Sequence, residues 1–225
     1  MHQAPTGRIE GRLANVCGAL LLGGDSQRMG QDKAEIEWQG DPLATRVARL
    51  LDTFFEETLL VGGSAPPGAP GRIVRDEDDA ACRAAPHCAL RGLVAALAAA
   101  QTERIVVLAT DMPLVTPELL LALTAWPEAD AVVPRTADGA HPLCAIYRRD
   151  SVLEIARANL SRGRLALREL LGAIDTEYLE GDDLAAVAPG GRALLNVNDA
   201  EELERARRLA DQEPEESLAK ACKRP

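Results

Sequence analysis

Aromatic residues are scarce in this chain, with two Trp, two Tyr and two Phe among 225 residues. Hydrophobic residues nevertheless make up 47%, so the core must be built from Leu, Val, Ile and Ala. That is the composition of a parallel sheet covered by helices. Basic residues are also in deficit: 25 Lys and Arg stand against 35 Asp and Glu, a net charge of -10. Such a chain offers no broad cationic face, which argues against nucleic acid as a partner. Paired CxxC motifs are missing. The five cysteines, at 17, 82, 88, 144 and 222, form an odd, scattered set that reads as reduced thiols in a cytoplasmic protein rather than a disulfide framework. Cys82, His87 and Cys88 in "CRAAPHC" form one cluster without a second pair, and ordinary loop thiols explain them better than a metal site.

A long hydrophobic run is missing too. The segment "LANVCGALLLGG" after Arg8 and Arg12 imitates a signal peptide. No small-residue cleavage site closes it, and it is too short to span a bilayer. It reads as a buried strand, with no membrane partner expected. Residues 1–14 carry no fold information and are expected to be a disordered leader, in which "IEGR" has the form of a protease-site linker. After Asp211 the sequence is charged and polar with prolines at 214 and 225, so 211–225 is expected to be a disordered tail. One domain, 15–210, lies between them.

Within that domain, apolar runs bounded by turn residues alternate with helical patterns. "VCGALLL" (16–22), "TLLVGG" (58–63), "GRIVRDE" (71–77) and "ERIVVLATD" (103–111) read as strands, the last of them as the clearest buried one. Leu43, Val47, Leu50, Leu51 and Phe54 share one face of a helix for which Asp41 is the expected N-cap and Pro42 the first position. Thr116 and Pro117 should start another helix, and Asn198 or Asp199 the last one. "DAVVP" and "PLCAIYRR" flank a turn at "RTADGAH", and Cys144 in the second strand should be a small core residue. This alternation predicts an α/β fold: a single doubly wound, mostly parallel sheet with helices on both faces. Ligands then belong at the carboxyl ends of the strands.

Those ends carry chemistry. After Leu22 come Gly23, Gly24, Arg28, Gly30 and Lys33 in "LLLGGDSQRMGQDKA". Glycines let a backbone approach phosphate oxygens, Arg28 can fork onto two of them, and Lys33 supplies a mobile point charge. Neither a Walker A loop nor the G-x-G-x-x-G fingerprint fits the spacing, so a different kind of phosphate loop is required. Asp111 follows the apolar "RIVVLAT", where a metal ligand aimed at phosphates belongs.

The loop resembles the L-A-G-G-x-S-x-R-M-G-x-D-K motif of molybdenum cofactor guanylyltransferases, the MobA-type enzymes of the nucleotidyltransferase class. The likeness continues at "TDMPLVTPELL" (110–120), "HPLCAIYRR" (141–149) and "LLNVNDAEEL" (194–203), from about Cys17 to Leu209. It implies a Rossmann-like nucleotidyltransferase fold and transfer of GMP from GTP to the molybdopterin-bound molybdenum cofactor, with release of pyrophosphate. It also implies Mg2+ as cofactor, and molybdoenzymes or their chaperones as onward partners. By the same resemblance Leu22, Gly23 and Gly24 lie against guanine and ribose. Arg28 and Lys33 hold the triphosphate, Asp76 stands on the guanine side, and Asp111 binds Mg2+. His141, Pro142, Asn196 and Asn198 line the pterin half. The match departs at Leu22, where the motif has alanine, and at Gly62–Gly63, near where an asparagine often meets the base. It departs again at "HCALRGL", in place of a Gly-Pro-Leu-x-Gly turn. A cytidylyltransferase for the same cofactor, whose loop reads L-A-A-G, is the nearest alternative, and Gly23 favours guanine. A nucleotide-binding assembly protein without turnover is a third reading.

Overall fold

The computed structural model describes residues 12–13, 15–23, 36–126 and 128–211. The expected leader and tail therefore lie outside the described residues but for a few positions at their inner ends, and the stretch 24–35 lies outside them entirely.

Strand β1 (Val16–Leu22) is buried along its whole length, as its unbroken apolar run requires of a strand covered on both faces. A two-residue hairpin follows, β2 (Glu37–Trp38) against β3 (Asp41–Pro42). Helix α1 (Leu43–Phe54) starts one residue later than the sequence suggests, because Asp41 and Pro42 are spent on the hairpin and Pro42 becomes the N-cap without a side-chain hydrogen bond. Then come β4 (Thr58–Gly62), β5 (Arg72–Val74), the short α2 (Ala80–Ala84) and α3 (Ala89–Ala99). Strand β6 (Arg104–Ala109) leads to α4 (Pro117–Leu123), which Thr116 caps by accepting the Leu119 amide, as expected. The remaining elements are β7 (Ala131–Thr136), β8 (Gly139–Ala140), β9 (Cys144–Arg148), α5 (Arg149–Ser161), α6 (Leu167–Leu171), β10 (Thr176–Leu179), α7 (Gly181–Val187) and α8 (Ala200–Ala210). Asp199 caps α8 by accepting the Glu202 amide.

The sheet runs β10-β7-β9-β6-β1-β4-β5, with β8 hung on β7. Its pairs are parallel except where β9 runs against β6 and β7 and where β8 turns back on β7. One apolar layer includes residues of α1, α4, α7 and α8, and the other residues of α3, α5 and α6. The doubly wound, mostly parallel α/β sheet is thus as expected. Two short helices, α2 and α7, and a 3-10 segment at Pro189–Leu194 were not legible, being too short for a helical period to show. Trp38 is buried in the first layer as a packing residue.

The connection that matters leaves β1 for β4 on one side and returns to β6 on the other. Chain reversal of this kind opens a crevice at the carboxyl edge of the neighbouring strands.

Candidate active site

The carboxyl edge can be followed strand by strand. At the end of β1, Leu22 is buried and Gly23 follows with φ 134°. Strand β4 comes so close that a Cβ on Gly62 would lie 2.7 Å, and one on Gly63 2.9 Å, from the Leu22 carbonyl oxygen. Gly62 also has φ 80°, a conformation that L side chains rarely adopt. The two glycines that depart from the family motif are therefore required by the backbone approach itself. On the other flank of β1, the buried Thr110 hydroxyl donates to the Leu21 carbonyl at 2.8 Å. This bond bolts the end of β6 to the end of β1.

Asp111 comes next, half-buried, at the end of β6. Its carbonyl accepts the Val197 amide at 2.8 Å, which brings the "NVN" segment beside Asp111 across 86 residues of chain. Pro113 is held from a third direction: Arg46 of α1 donates through Nε to its carbonyl at 3.2 Å. Burial lowers the pKa of this guanidinium, the cost of placing a cation between α1 and the 112–117 loop. Beside it a cavity of about 200 Å3 opens between Trp38, Val47, Met112 and Pro117.

Beyond β6 the edge continues with the amino end of the antiparallel β9. His141 donates its backbone amide to Pro134 and accepts the Cys144 amide through its carbonyl, both at 2.9 Å. Its Nε2 lies 3.1 Å from the Thr136 hydroxyl. Burial lowers the imidazole pKa, opposed by nearby Asp138, which raises it. Pro142 accepts the Tyr147 hydroxyl on its carbonyl at 2.7 Å. His141 and Asn196 both line a cleft of about 880 Å3 that also includes Thr136, Gly190, Gly191 and Arg205. Asn198, the residue before the α8 cap, is tied in beside it, its amide donating to Glu202 Oε2 at 2.6 Å.

At the opposite end of the edge, just after β5, Asp76 is buried. It meets Arg91 of α3 through two contacts, Nε to Oδ2 at 2.7 Å and Nη2 to Oδ1 at 3.1 Å. His87 Nδ1 lies 3.9 Å from Oδ2 with its side chain 85% exposed. Cys82 points elsewhere, its Sγ donating to the Arg91 carbonyl at 3.4 Å, and burial pushes its thiol pKa up to about 12.

Of the residues singled out from sequence, Leu22, Gly23, Asp76, Asp111, His141, Pro142, Asn196 and Asn198 fall along one edge or the segment hydrogen-bonded to it. Gly24, Arg28 and Lys33 lie outside the described residues. Arg46, Arg91 and Thr110 were missed. Only Thr110, preceding Asp111, sat where a sequence argument could have found it.

A family model, the MobA-like NTP transferase domain, matches residues 18–179. The chain belongs to this family. It is accordingly a nucleotidyltransferase. A "probable molybdenum cofactor guanylyltransferase" of Chloroflexus aggregans is 32% identical over 195 residues, spanning 83% of this chain and 90% of that protein. A protein of the same printed name from Pelotomaculum thermopropionicum is 32% identical over 196 residues, spanning 86% and 93%. Among solved structures, molybdopterin-guanine dinucleotide biosynthesis protein A from Archaeoglobus fulgidus superposes with a TM-score of 0.72 at 23% identity. It covers 87% of this chain and 99% of that one, a likeness of fold. Among the described residues, no helix is long and apolar enough to cross a membrane.

Proposed function

We propose that this nucleotidyltransferase transfers GMP from GTP to the molybdopterin-bound molybdenum cofactor in the cytoplasm, forming the guanine dinucleotide cofactor and pyrophosphate. The observation that carries the proposal is the single edge on which Asp76, Leu22, Asp111 and His141 succeed one another across β5, β4, β1, β6 and β9. At about 4.8 Å per strand, such an edge suits an extended ligand with a base at one end and a pterin at the other. The names of the relatives agree with this reading.

In this proposal Leu22, Gly23 and Gly24 take the nucleoside, and Asp76 stands on the base side. Arg28 and Lys33 hold the triphosphate. His141, Pro142, Asn196 and Asn198 serve the pterin half, where the cleft of about 880 Å3 provides the room. Among the described residues no cluster of three or more His, Cys, Asp or Glu side chains gathers at one point. Asp111 with phosphate oxygens and water is a donor set that fits Mg2+, which keeps several waters and takes one or two carboxylates. Mg2+ bound there would offset charge on the α- and β-phosphate oxygens.

A terminal phosphate oxygen of molybdopterin forms a bond to the α-phosphorus in line. The bond from that phosphorus to the α–β bridging oxygen breaks, and pyrophosphate leaves with its electron pair. A phosphate monoester is already a nucleophile near neutral pH, so no general base is needed, and His141 acts as a contact rather than a proton carrier. Positioning and charge neutralisation supply the rate enhancement.

The test is pyrophosphate release with Mg2+ and molybdopterin-bound molybdenum, comparing GTP, CTP, ATP and UTP. GTP-dependent release is expected. Release with CTP in its place would convert the assignment to a cytidylyltransferase, and GTP binding without release would favour an assembly protein.

A further inference from the structure

Residues 110–115, between β6 and the cap of α4, belong to no helix or strand. Their backbone has no ladder of its own and must be held from elsewhere. Three other parts of the chain reach it. The Thr110 hydroxyl donates to the Leu21 carbonyl of β1 at 2.8 Å, and the Val197 amide donates to the Asp111 carbonyl at 2.8 Å. Arg46 of α1 donates through Nε to the Pro113 carbonyl at 3.2 Å. Packing already seats the segment, since Met112 is 2% and Val115 5% exposed. Apolar contact has no direction, whereas a hydrogen bond fixes a peptide plane. The sequence makes that plane matter. In "DMP" the Pro113 ring locks its own φ, and Met112, preceding a proline, is biased to extended conformations. With the Asp111 carbonyl held at one end and the Pro113 carbonyl at the other, few backbone torsions stay free. What is left to Asp111 is the choice of its own side-chain rotamer.

We propose that Arg46 is a positioning residue for Asp111, fixing through the Pro113 carbonyl the backbone from which that carboxylate meets Mg2+. The inference rests on the reading of Asp111 as the metal ligand and extends it to a residue of another element. Arg46, Val47, Met112 and Pro117 line one cavity of about 200 Å3, so packing leaves a gap between α1 and this turn, and the Nε bond crosses it. A guanidinium is less strongly hydrated than an ammonium and tolerates half-burial there. The part of the side chain that carries the role is the Nε–H, not the charge. Two substitutions separate them. Glutamine places an amide nitrogen at the same position along the side chain as Nε, keeping the donor and removing the charge. Methionine places a methyl group there, removing both.

The experiment measures dissociation constants of GTP by titration calorimetry on the full chain, once with saturating Mg2+ and once with EDTA. Their ratio reads what the metal gains from the protein, without turnover. Wild type, Arg46→Gln, Arg46→Met, Arg46→Lys and Asp111→Asn are compared, at a temperature below every variant's thermal midpoint. Arg46→Met should reduce the gain from Mg2+ roughly fivefold, the net worth of one hydrogen bond. Its affinity for GTP in EDTA should change less than about twofold. Arg46→Gln should keep the wild-type ratio within about twofold. Arg46→Lys, which keeps the charge and moves the donor one atom outward, should fall on the side of methionine. A wild-type ratio in Arg46→Met overturns the proposal and leaves Arg46 as a fastener of α1, whatever happens to the thermal midpoint. Equal reduction in Arg46→Gln and Arg46→Met overturns it too, because the charge itself would then act. If Arg46→Met fails to fold, glutamine against lysine decides: lysine retaining the ratio while glutamine loses it defeats the proposal. A wild-type ratio of one, or one that Asp111→Asn leaves unchanged, defeats the reading of Asp111 first. A ratio that depends on Asp111 and ignores Arg46 defeats only the role of Arg46.

Discussion

The amide of Val197 donates to the carbonyl of Asp111 at 2.8 Å. This bond ties the segment before α8 to the end of β6, and the acidic side chain proposed to face phosphates shares its backbone with the support of the cleft proposed for the pterin. The chain thereby couples two parts of the edge that lie far apart in sequence.

Asp111→Ala should remove the proposed metal ligand and leave the Val197 bond, which uses the backbone carbonyl. Pyrophosphate release with Mg2+ should fall by about 10² to 10³, the usual loss when one preorganised charge-stabilising group is removed. A variant as active as wild type would remove Asp111 from the proposed metal site.

Gly63→Ala should be destabilising. The added Cβ would stand 2.9 Å from the Leu22 carbonyl oxygen and 3.3 Å from the Leu22 Cβ, and β1 cannot move away because β6 is bonded to its other side. A cost of about 1–3 kcal/mol is expected in denaturant unfolding, together with weaker nucleotide binding through the displaced end of β1. Full stability and affinity would show that this turn yields without cost.

Thr110→Val keeps the shape of the side chain and removes the hydroxyl that donates to Leu21 at 2.8 Å. The buried Leu21 carbonyl loses a partner, so stability should fall by about 1–3 kcal/mol in chemical denaturation. Thr110→Ser should recover most of it.

His141 makes stability depend on pH. Burial holds its pKa below the ordinary 6.5, so the unfolded chain binds the proton more readily than the folded one. The stabilising contribution is therefore fully present above that ordinary value and is lost as pH falls toward the lowered folded value. Thermal midpoints of wild type and His141→Gln should diverge most in favour of wild type above pH 7 and converge as the pH falls below the ordinary 6.5. A difference independent of pH would contradict the burial of the imidazole.

Much of the fold was legible because the decisive patterns are local. "VCGALLL" and "RIVVLA" are continuous apolar runs, and a strand buried on both faces has no other way to look. Thr116 and Asp199 could be read as caps because a short polar side chain before a helical pattern has one frequent use. The start of α1 was misjudged by one residue for the same reason: Asp-Pro reads as a cap in isolation, and only the hairpin with Glu37 and Trp38 takes those residues away. Of the candidate site, Asp111 was legible from its place after a buried strand. Arg46 and Arg91 were not, since an arginine inside a helix gives no sign of which backbone or carboxylate it will reach.

What the sequence by itself determined is the alternation of strands and helices and the caps of α4 and α8, all set by interactions within a few residues of chain. Which side chains meet was decided only in the tertiary structure. Strand order places β6 and β4 on either side of β1, and that choice brings Thr110 to Leu21, Gly62 and Gly63 to Leu22, and Val197 to Asp111. The physical reason is that apolar burial drives the elements together without regard to sequence distance. The hydrogen bonds and ion pairs of the edge, short-ranged and directional, form only between groups that this burial has already made neighbours.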